Sequence, residues 1–242
     1  MRNNINTYAD LTAYNADTNK DFPNISYIEG TAEVKWNKYD PDHIVCVYNV
    51  TSTSEPTTLF YEYWVSQMDK VFIDGVEQQT IQNTYTFDTT GEHIVKYKYK
   101  DSVPGSMLFR ETNITSVVVP IAINKIGIQM FENCSKLTSI IIPNTITQIN
   151  NSAFNNCYAL KNITIPTSVT SIGESAFRYV GTTTKKATFT FESITPPTLV
   201  NNNMLTIGRT EAIYVPAESV EAYKTAQYWD NYESRIFAIP TT

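Results

Sequence analysis

The sequence predicts a mainly β protein in which a small β-sandwich precedes a solenoid of stacked repeats. One observation is that segments 114–131, 137–154 and 160–177 repeat at a spacing of 23 residues. Three kinds of residue stand in register in these segments: Pro120, Pro143 and Pro166; Ile126, Ile149 and Ile172; Phe131, Phe154 and Phe177. A fixed period of about 20–50 residues is typical of supersecondary units that stack on one another. The other observation is a series of short apolar runs between 44 and 99, which indicates β-strands.

Residues 1–40 are predicted to be an attachment segment with a short helix at 11–16, for which Asp10 is a suitable N-cap. A β-hairpin then fits around the turn at 29–31. The start of the chain has no apolar stretch typical of a signal peptide, and nowhere do about 18 apolar residues follow one another. The opening, TYADLTAYNADTNKDFPNISYIEGTAEVKW, resembles the N-terminal module of head or tail appendage proteins of bacteriophages and prophages of gut Bacteroidales. That resemblance implies attachment to other virion proteins through the N-terminal half.

Residues 41–103 are predicted to form the sandwich, with strands at 44–50, 58–65, 70–73, 81–87 and 93–99. Asp74-Gly75 is a strong signal for a two-residue hairpin turn. The segment NTYTFDTTGEHIVKY resembles the end of a PKD-type immunoglobulin-like β-sandwich. The resemblance implies that Tyr85 and Phe87 point inward. Pro104-Gly105 then marks the passage to a third domain at 104–242.

Each repeat unit begins with a short strand that ends at a proline, because proline cannot donate to a strand ladder. A second apolar pair and a turn with an inward phenylalanine follow. The pattern L-x-x-I-x-I-P followed by I-x-x-I-G-x-x-A-F-x-x-C resembles the BspA-type leucine-rich repeat, most closely in SVTSIGESAF at 168–177. The resemblance implies a leucine-rich-repeat solenoid with short helical turns and one parallel ladder, at 117–119, 140–142, 163–165, 188–191 and 213–215. Residues 215–240 look like the closing cap of that family, with a short helix at 217–225.

Cys134 and Cys157 are also 23 residues apart and stand at equivalent places in consecutive units. Stacking would bring them within disulfide distance, but side chains in register point the same way, and the third unit has Val180 there. We therefore expect buried free thiols. Cys46 is expected to be buried in a strand.

Charge and motifs exclude several classes of function. The net charge is −6; residues 1–112 hold 9 basic and 16 acidic residues, a net charge of −7, whereas residues 113–242 hold 9 and 8, a net charge of +1. The sequence has no stripe of basic residues, so we do not expect it to bind nucleic acid. His43 and His93 belong to no recognisable catalytic triad, and Asp40 and Asp42 are weak evidence for calcium. We expect that the protein is not an enzyme and binds no cofactor, although two carboxylates that meet in space could still hydrolyse a glycoside.

The resemblances together imply a non-enzymatic phage virion appendage, a tail or head fibre, whose repeats adhere to the host surface. The alternatives are a purely structural virion component and an exported bacterial cell-surface adhesin without its signal peptide. A homotrimer is expected only by analogy with appendage proteins. The predicted ligand-binding residues alternate outward from the ladder and suit a neutral glycan or a protein: Ser116, Val118, Ser139, Ile141, Asn162, Thr164 and Tyr214. The same face could instead be solvated or covered by another subunit. A terminal aromatic cluster is expected to close the solenoid or, alternatively, to stack on a sugar: Tyr223, Tyr228, Trp229, Tyr232 and Phe237.

Overall fold

The computed structural model describes residues 7–8, 26–27, 43–100 and 106–240. The chain forms two compact units, Met1–Asp42 and His43–Thr242. In the first unit, strand β1 (Thr7–Tyr8) pairs in parallel with β2 (Ser26–Tyr27). The predicted helix at 11–16, the turn at 29–31 and the carboxylates at 40 and 42 lie outside the described residues.

The second unit begins with antiparallel strands: β3 (Ile44–Val50), β4 (Thr57–Thr58), β5 (Met68–Ile73), β6 (Val76–Glu77), β7 (Thr84–Tyr85) and β8 (Gly91–Tyr99). Strands β3, β8, β5 and β6 are neighbours in one sheet, whereas β4 and β7 form a separate two-stranded ladder. The strand predicted at 58–65 is wrong for most of its length. A 3-10 helix, Glu62–Gln67, occupies it with no buried residue, because EYWVSQ lacks the alternation that would bury one face of a strand. The likeness to an immunoglobulin or PKD sandwich stays a prediction, although Phe87 is buried as expected.

The repeats contribute two kinds of strand. The first kind lies at the start of each unit: β9 (Ile114–Val118), β11 (Ser139–Ile141), β13 (Asn162–Ile165), β15 (Ala187–Phe191), β17 (Thr210–Val215) and, after the last unit, β18 (Ile236–Ala238). The second kind is shorter: β10 (Lys125–Ile126), β12 (Gln148–Ile149), β14 (Ser171–Ile172) and β16 (Thr198–Leu199). The short strands pair in parallel in chain order. Their register confirms the 23-residue period, since Lys125 is opposite Gln148 and Gln148 is opposite Ser171.

The predicted single ladder of the longer strands is wrong at one point. Strands β13, β15, β17 and β18 form one parallel ladder, but β9 and β11 belong to a six-stranded sheet with the order β11-β9-β3-β8-β5-β6. Among the described residues, no backbone hydrogen bond joins β11 to β13. Strand β9 pairs antiparallel with the apolar strand β3, whose edge would otherwise be unpaired. The sheet therefore runs through the boundary that we predicted at residue 104.

A column of stacked phenylalanines forms the centre of the repeat core. Successive ring centres are 5.5, 5.2 and 5.2 Å apart from Phe109 through Phe131 and Phe154 to Phe177, with rings tilted by 11° or less. All four side chains are buried, which confirms that the phenylalanine of each predicted unit points inward and adds Phe109, which the sequence pattern missed. Tyr97 closes one end of the column, with its ring centre 5.2 Å from that of Phe109. The antiparallel sheet therefore shares one core with the repeats.

The predicted thiols are confirmed as free and buried. The Cys134 thiol donates to the carbonyl oxygen of Phe109 at 2.9 Å, and the Cys157 thiol donates to that of Phe131 at 3.1 Å. Burial raises the pKa of Cys134 to about 12 and raises the pKa of Cys157 and Cys46 well above the ordinary value. Each repeat cysteine thus hydrogen-bonds to the unit before it.

The C-terminal cap has the predicted short helix, which consists of a 3-10 turn, Ala217–Ser219, and helix α1 (Val220–Thr225). A second 3-10 helix, Asp230–Arg235, leads into β18. Three of the terminal aromatic residues close the core as predicted and are buried: Tyr223, Trp229 and Tyr232. Phe237 does not, because β18 pairs with β17 and leaves 47% of this side chain exposed.

Candidate ligand-binding face

The predicted binding residues all lie on strands of the two sheets, on the side opposite the core. We call this side the ladder face; in its first part, Ser116 is opposite Ser139 and Val118 is opposite Ile141. The Ser139 hydroxyl donates to the Ser116 hydroxyl at 2.9 Å. Only 9% of Ile141 is exposed, which makes it a poor contact residue for a large ligand.

The second part of the ladder face carries an in-register row of hydroxyl and aromatic groups. Thr164 is opposite Thr190, Thr190 is opposite Tyr214, and Tyr214 is opposite Phe237. The ring centres of Tyr214 and Phe237 are 6.4 Å apart. Asn162 is opposite Thr188 in the neighbouring row. These residues form a neutral strip across four strands.

The structure thus divides the predicted site. Because β11 and β13 are not hydrogen-bonded neighbours, Ser116, Val118, Ser139 and Ile141 lie on one sheet, and Asn162, Thr164 and Tyr214 lie on the other. The prediction missed three residues of the second sheet. Strand alternation could have found Thr188 and Thr190, since they alternate with buried residues of β15 as Asn162 and Thr164 alternate with those of β13. Phe237 depends on the pairing of β18 with β17, which the sequence pattern did not indicate.

One polar pair in the antiparallel sheet also escaped the sequence pattern. His93 is only 7% exposed, and its Nδ1 lies 2.6 Å from a carboxylate oxygen of Asp74. The other carboxylate oxygen of Asp74 accepts a hydrogen bond from the Ile94 backbone N–H at 2.8 Å. The Nε2 atom of His93 is closer to the Thr89 carbonyl oxygen, at 2.9 Å, than to the Thr89 hydroxyl, at 3.4 Å. A ring nitrogen that faces a carbonyl must donate, so this geometry fixes the Asp74-Gly75 turn and does not activate a hydroxyl.

A cleft of about 760 Å³ lies beside this pair, lined by both apolar and polar side chains, among them Val71, Tyr85 and Gln82. Within 43–100 and 106–240 the side chains form no group of three or more His, Cys, Asp or Glu residues suited to a metal ion. The helices of the same described part include none that is long and apolar enough to cross a membrane.

Comparison with protein families agrees with the repeats described above. The model of the BspA type leucine-rich repeat region matches residues 103–213, in six copies. The chain therefore contains a BspA-type leucine-rich repeat region. The resemblance inferred from the proline and phenylalanine pattern is confirmed, and the match begins before the first unit that the pattern revealed.

Solved structures with similarity to the chain include two leucine-rich repeat proteins and one antigen. A leucine-rich repeat protein from Bacteroides capillosus is 38% identical over 36% of this chain and 59% of its own, with a TM-score of 0.29. One from Bacteroides ovatus is 22% identical over 54% of this chain and 45% of its own, with a TM-score of 0.29. The pneumococcal vaccine antigen PcpA is 18% identical over 57% of this chain and 40% of its own, with a TM-score of 0.39. The chain thus spans between two fifths and three fifths of these proteins, and the search of curated proteins finds no match.

Proposed function

We propose that the chain is a non-enzymatic adhesion module that binds a neutral glycan or a protein on a cell surface. The observation that carries the proposal is the row of Thr164, Thr190, Tyr214 and Phe237 on the ladder face. Its members project from neighbouring strands of one sheet, so that a ligand could contact several of them at once.

The chemistry of this row suits a hydroxyl-rich ligand. Threonine hydroxyls donate and accept hydrogen bonds, and they can therefore pair with sugar hydroxyls or with a peptide backbone. Tyr214 and the exposed ring of Phe237 offer apolar surface on which a sugar ring can pack. A phosphate-rich ligand would favour arginine or lysine here, and none of the ladder-face residues named above is charged.

The setting that we propose is a phage virion, in which the N-terminal half attaches the module to other virion proteins. The support for this setting is the resemblance of the opening sequence to phage appendage proteins. A purely structural virion component would use the same face against a neighbouring subunit. An exported bacterial adhesin would use it on a host surface.

The proposal is tested by adding charge to the ladder face without disturbing the core. We expect the double variant Asn162→Lys/Thr164→Lys to melt close to the wild type, because neither side chain contributes to the hydrophobic core. Its adsorption to intact Bacteroidales cells and its binding to an array of neutral glycans should fall at least about tenfold. The control is Thr167→Lys, which adds a lysine at an exposed residue outside the strands.

Binding that falls in the double variant and not in the control supports the proposal. Unchanged binding with unchanged melting rules this part of the face out. Capture of virion proteins in place of cells or glycans, lost in the same variant, would favour the purely structural alternative.

A further inference from the structure

Two ladders of polar side chains run along the turns of the repeats and stop at the third unit. The first ladder occupies the position after each phenylalanine of the column: Arg110, Glu132, Asn155 and Arg178. Arg110 Nε lies 3.0 Å from a carboxylate oxygen of Glu132, and Asn155 Nδ2 donates to the other oxygen at 2.9 Å. Arg178 does not continue the series. The Asn155 Oδ1 atom is buried and accepts no hydrogen bond from the described residues.

The second ladder occupies the following position: Glu111, Asn133, Asn156 and Tyr179. Asn156 Nδ2 donates to Asn133 Oδ1 at 2.7 Å, whereas Tyr179 ends the series. All four residues have a left-handed backbone, with φ between 60° and 64°. Asparagine tolerates this conformation, but a bulky aromatic residue rarely adopts it. A tyrosine that replaces the tolerated asparagine in a strained conformation points to a role outside folding.

Arg178 and Tyr179 instead form a partly exposed stack with Tyr158 and Arg209. The Arg178 guanidinium carbon lies 4.7 Å from the centre of the Tyr179 ring. The Arg209 guanidinium carbon lies 5.2 Å from the same ring and 5.3 Å from the ring of Tyr158. A guanidinium that stacks on a ring keeps its N–H groups at its edge, where they can still donate.

In the part of the chain that the structure describes, no acidic side chain neutralises either guanidinium. Within the described residues, no carboxylate forms a salt bridge with Arg178 or Arg209, whereas Arg110 is paired with Glu132. Arg209 donates one hydrogen bond, from Nη1 to the carbonyl oxygen of Gly181 at 3.0 Å, which orients its side chain. The two guanidinium groups beside the Tyr179 ring thus have no carboxylate partner among the described residues, and that of Arg209 is oriented by its hydrogen bond.

We propose that Tyr158, Arg178, Tyr179 and Arg209 form a binding site for a carboxylate-bearing saccharide such as a uronic acid oligomer. The planar guanidinium matches the two oxygens of a carboxylate, and contact with the tyrosine rings restricts its movement before the ligand arrives. Tyr158 favours a saccharide over an acidic peptide. Tyr158 is 39% exposed, and its hydroxyl donates to Asn156 Oδ1 at 3.0 Å, which holds an aromatic ring at the surface where a sugar ring can pack.

This site is separate from the ladder face. Tyr158 and Arg178 lie in turns, and Arg209 is the last residue of a 3-10 helix, Ile207–Arg209, immediately before β17, whereas the ladder face consists of strand residues. Variants of the two sites can therefore be tested independently, and failure of one proposal leaves the other standing.

The experiment titrates the full chain with three probes at low salt in a calorimeter. The probes are an oligogalacturonate, a neutral galactose oligomer of equal length and a polyglutamate of equal charge. We expect binding of the oligogalacturonate that weakens at about 0.15 M salt, because exposed charges are screened there. We expect Arg178→Gln and Arg209→Gln each to weaken it at least about tenfold. Tyr179→Asn, which restores the residue of the earlier units, should weaken binding without lowering the melting temperature.

The matched control is Arg235→Gln, which removes a guanidinium that lies outside the stack and donates to the Glu211 carbonyl. Undiminished binding in this control, with loss in the three stack variants, supports the proposal. Absence of oligogalacturonate binding overturns it, and so does an equal loss in Arg235→Gln, which would indicate attraction by net charge alone. Tighter binding of polyglutamate than of the oligogalacturonate would also overturn it in favour of an acidic peptide site.

Discussion

Removal of one ring from the phenylalanine column should destabilise the protein strongly. Phe154 has no exposed surface, and its ring stacks on Phe131 and on Phe177 with ring centres 5.2 Å away on both sides. Truncation of a buried phenylalanine to alanine costs about 3–5 kcal/mol. Each aromatic pair contributes about 0.5–1.5 kcal/mol beyond its buried area, so Phe154→Ala loses two pairs and should fall near the upper end, about 5 kcal/mol.

For a unit of this size, 1 kcal/mol corresponds to about 2–4 °C, so the melting temperature should fall by about 10–20 °C. Calorimetry and urea unfolding followed by circular dichroism would measure both quantities. The control is Phe237→Ala, the same substitution at a half-exposed ring on the ladder, which should change stability by less than about 1 kcal/mol. If Phe154→Ala melts within a degree or two of the wild type, the stacked column is wrong.

Three further predictions concern packing and the extent of the folded unit. Alkylation of the native protein at pH 8 should label none of the three cysteines, Cys46, Cys134 and Cys157, because burial raises their pKa and keeps the thiols protonated. After denaturation without reductant, mass spectrometry should find all three labelled. Detection of a disulfide would contradict this prediction. Gly173→Ala should lower the free energy of unfolding by about 1–3 kcal/mol, since the new Cβ would lie 2.5 Å from the Asn151 backbone nitrogen. An unchanged urea midpoint would contradict this, because it would mean that the backbone of the neighbouring unit moves aside without cost. A chain of residues 43–242 should keep the wild-type melting transition. A chain of residues 104–242 should not show it, because β9 would no longer pair with β3 and Phe109 would no longer pack on Tyr97. Equal melting temperatures of the two truncated chains would refute the shared core.

The period of 23 residues predicted the repeat half well, because each unit meets the same neighbours. Equivalent residues of successive units have equivalent surroundings, so their spacing alone indicated which side chains are neighbours. This holds for Phe131, Phe154 and Phe177 and for Cys134 and Cys157. Phe109 was missed because the proline and the isoleucine that precede the later phenylalanines in register are absent before it. A pattern shared by all units can be read without knowledge of the fold.

Features that depend on contacts between unlike segments could not be predicted. The pairing of β3 with β9 joins strands about 70 residues apart, and the sequence of neither strand indicates which strand it pairs with. The stack of Arg178 and Arg209 on Tyr179 depends on the left-handed backbone of Tyr179 and on the 3-10 helix that ends at Arg209. Of the candidate sites, only the ladder face followed from alternation along a strand.

The binding role of the ladder face is tested most directly at the centre of its row. Thr190 lies between Thr164 and Tyr214, and its replacement by lysine introduces a charge into the neutral row that we propose to bind the ligand. The measurement is a binding isotherm of Thr190→Lys and of the wild type on intact Bacteroidales cells, with the melting temperature of both. We expect at least about tenfold weaker binding at an unchanged melting temperature. Equal binding of the two proteins would contradict it.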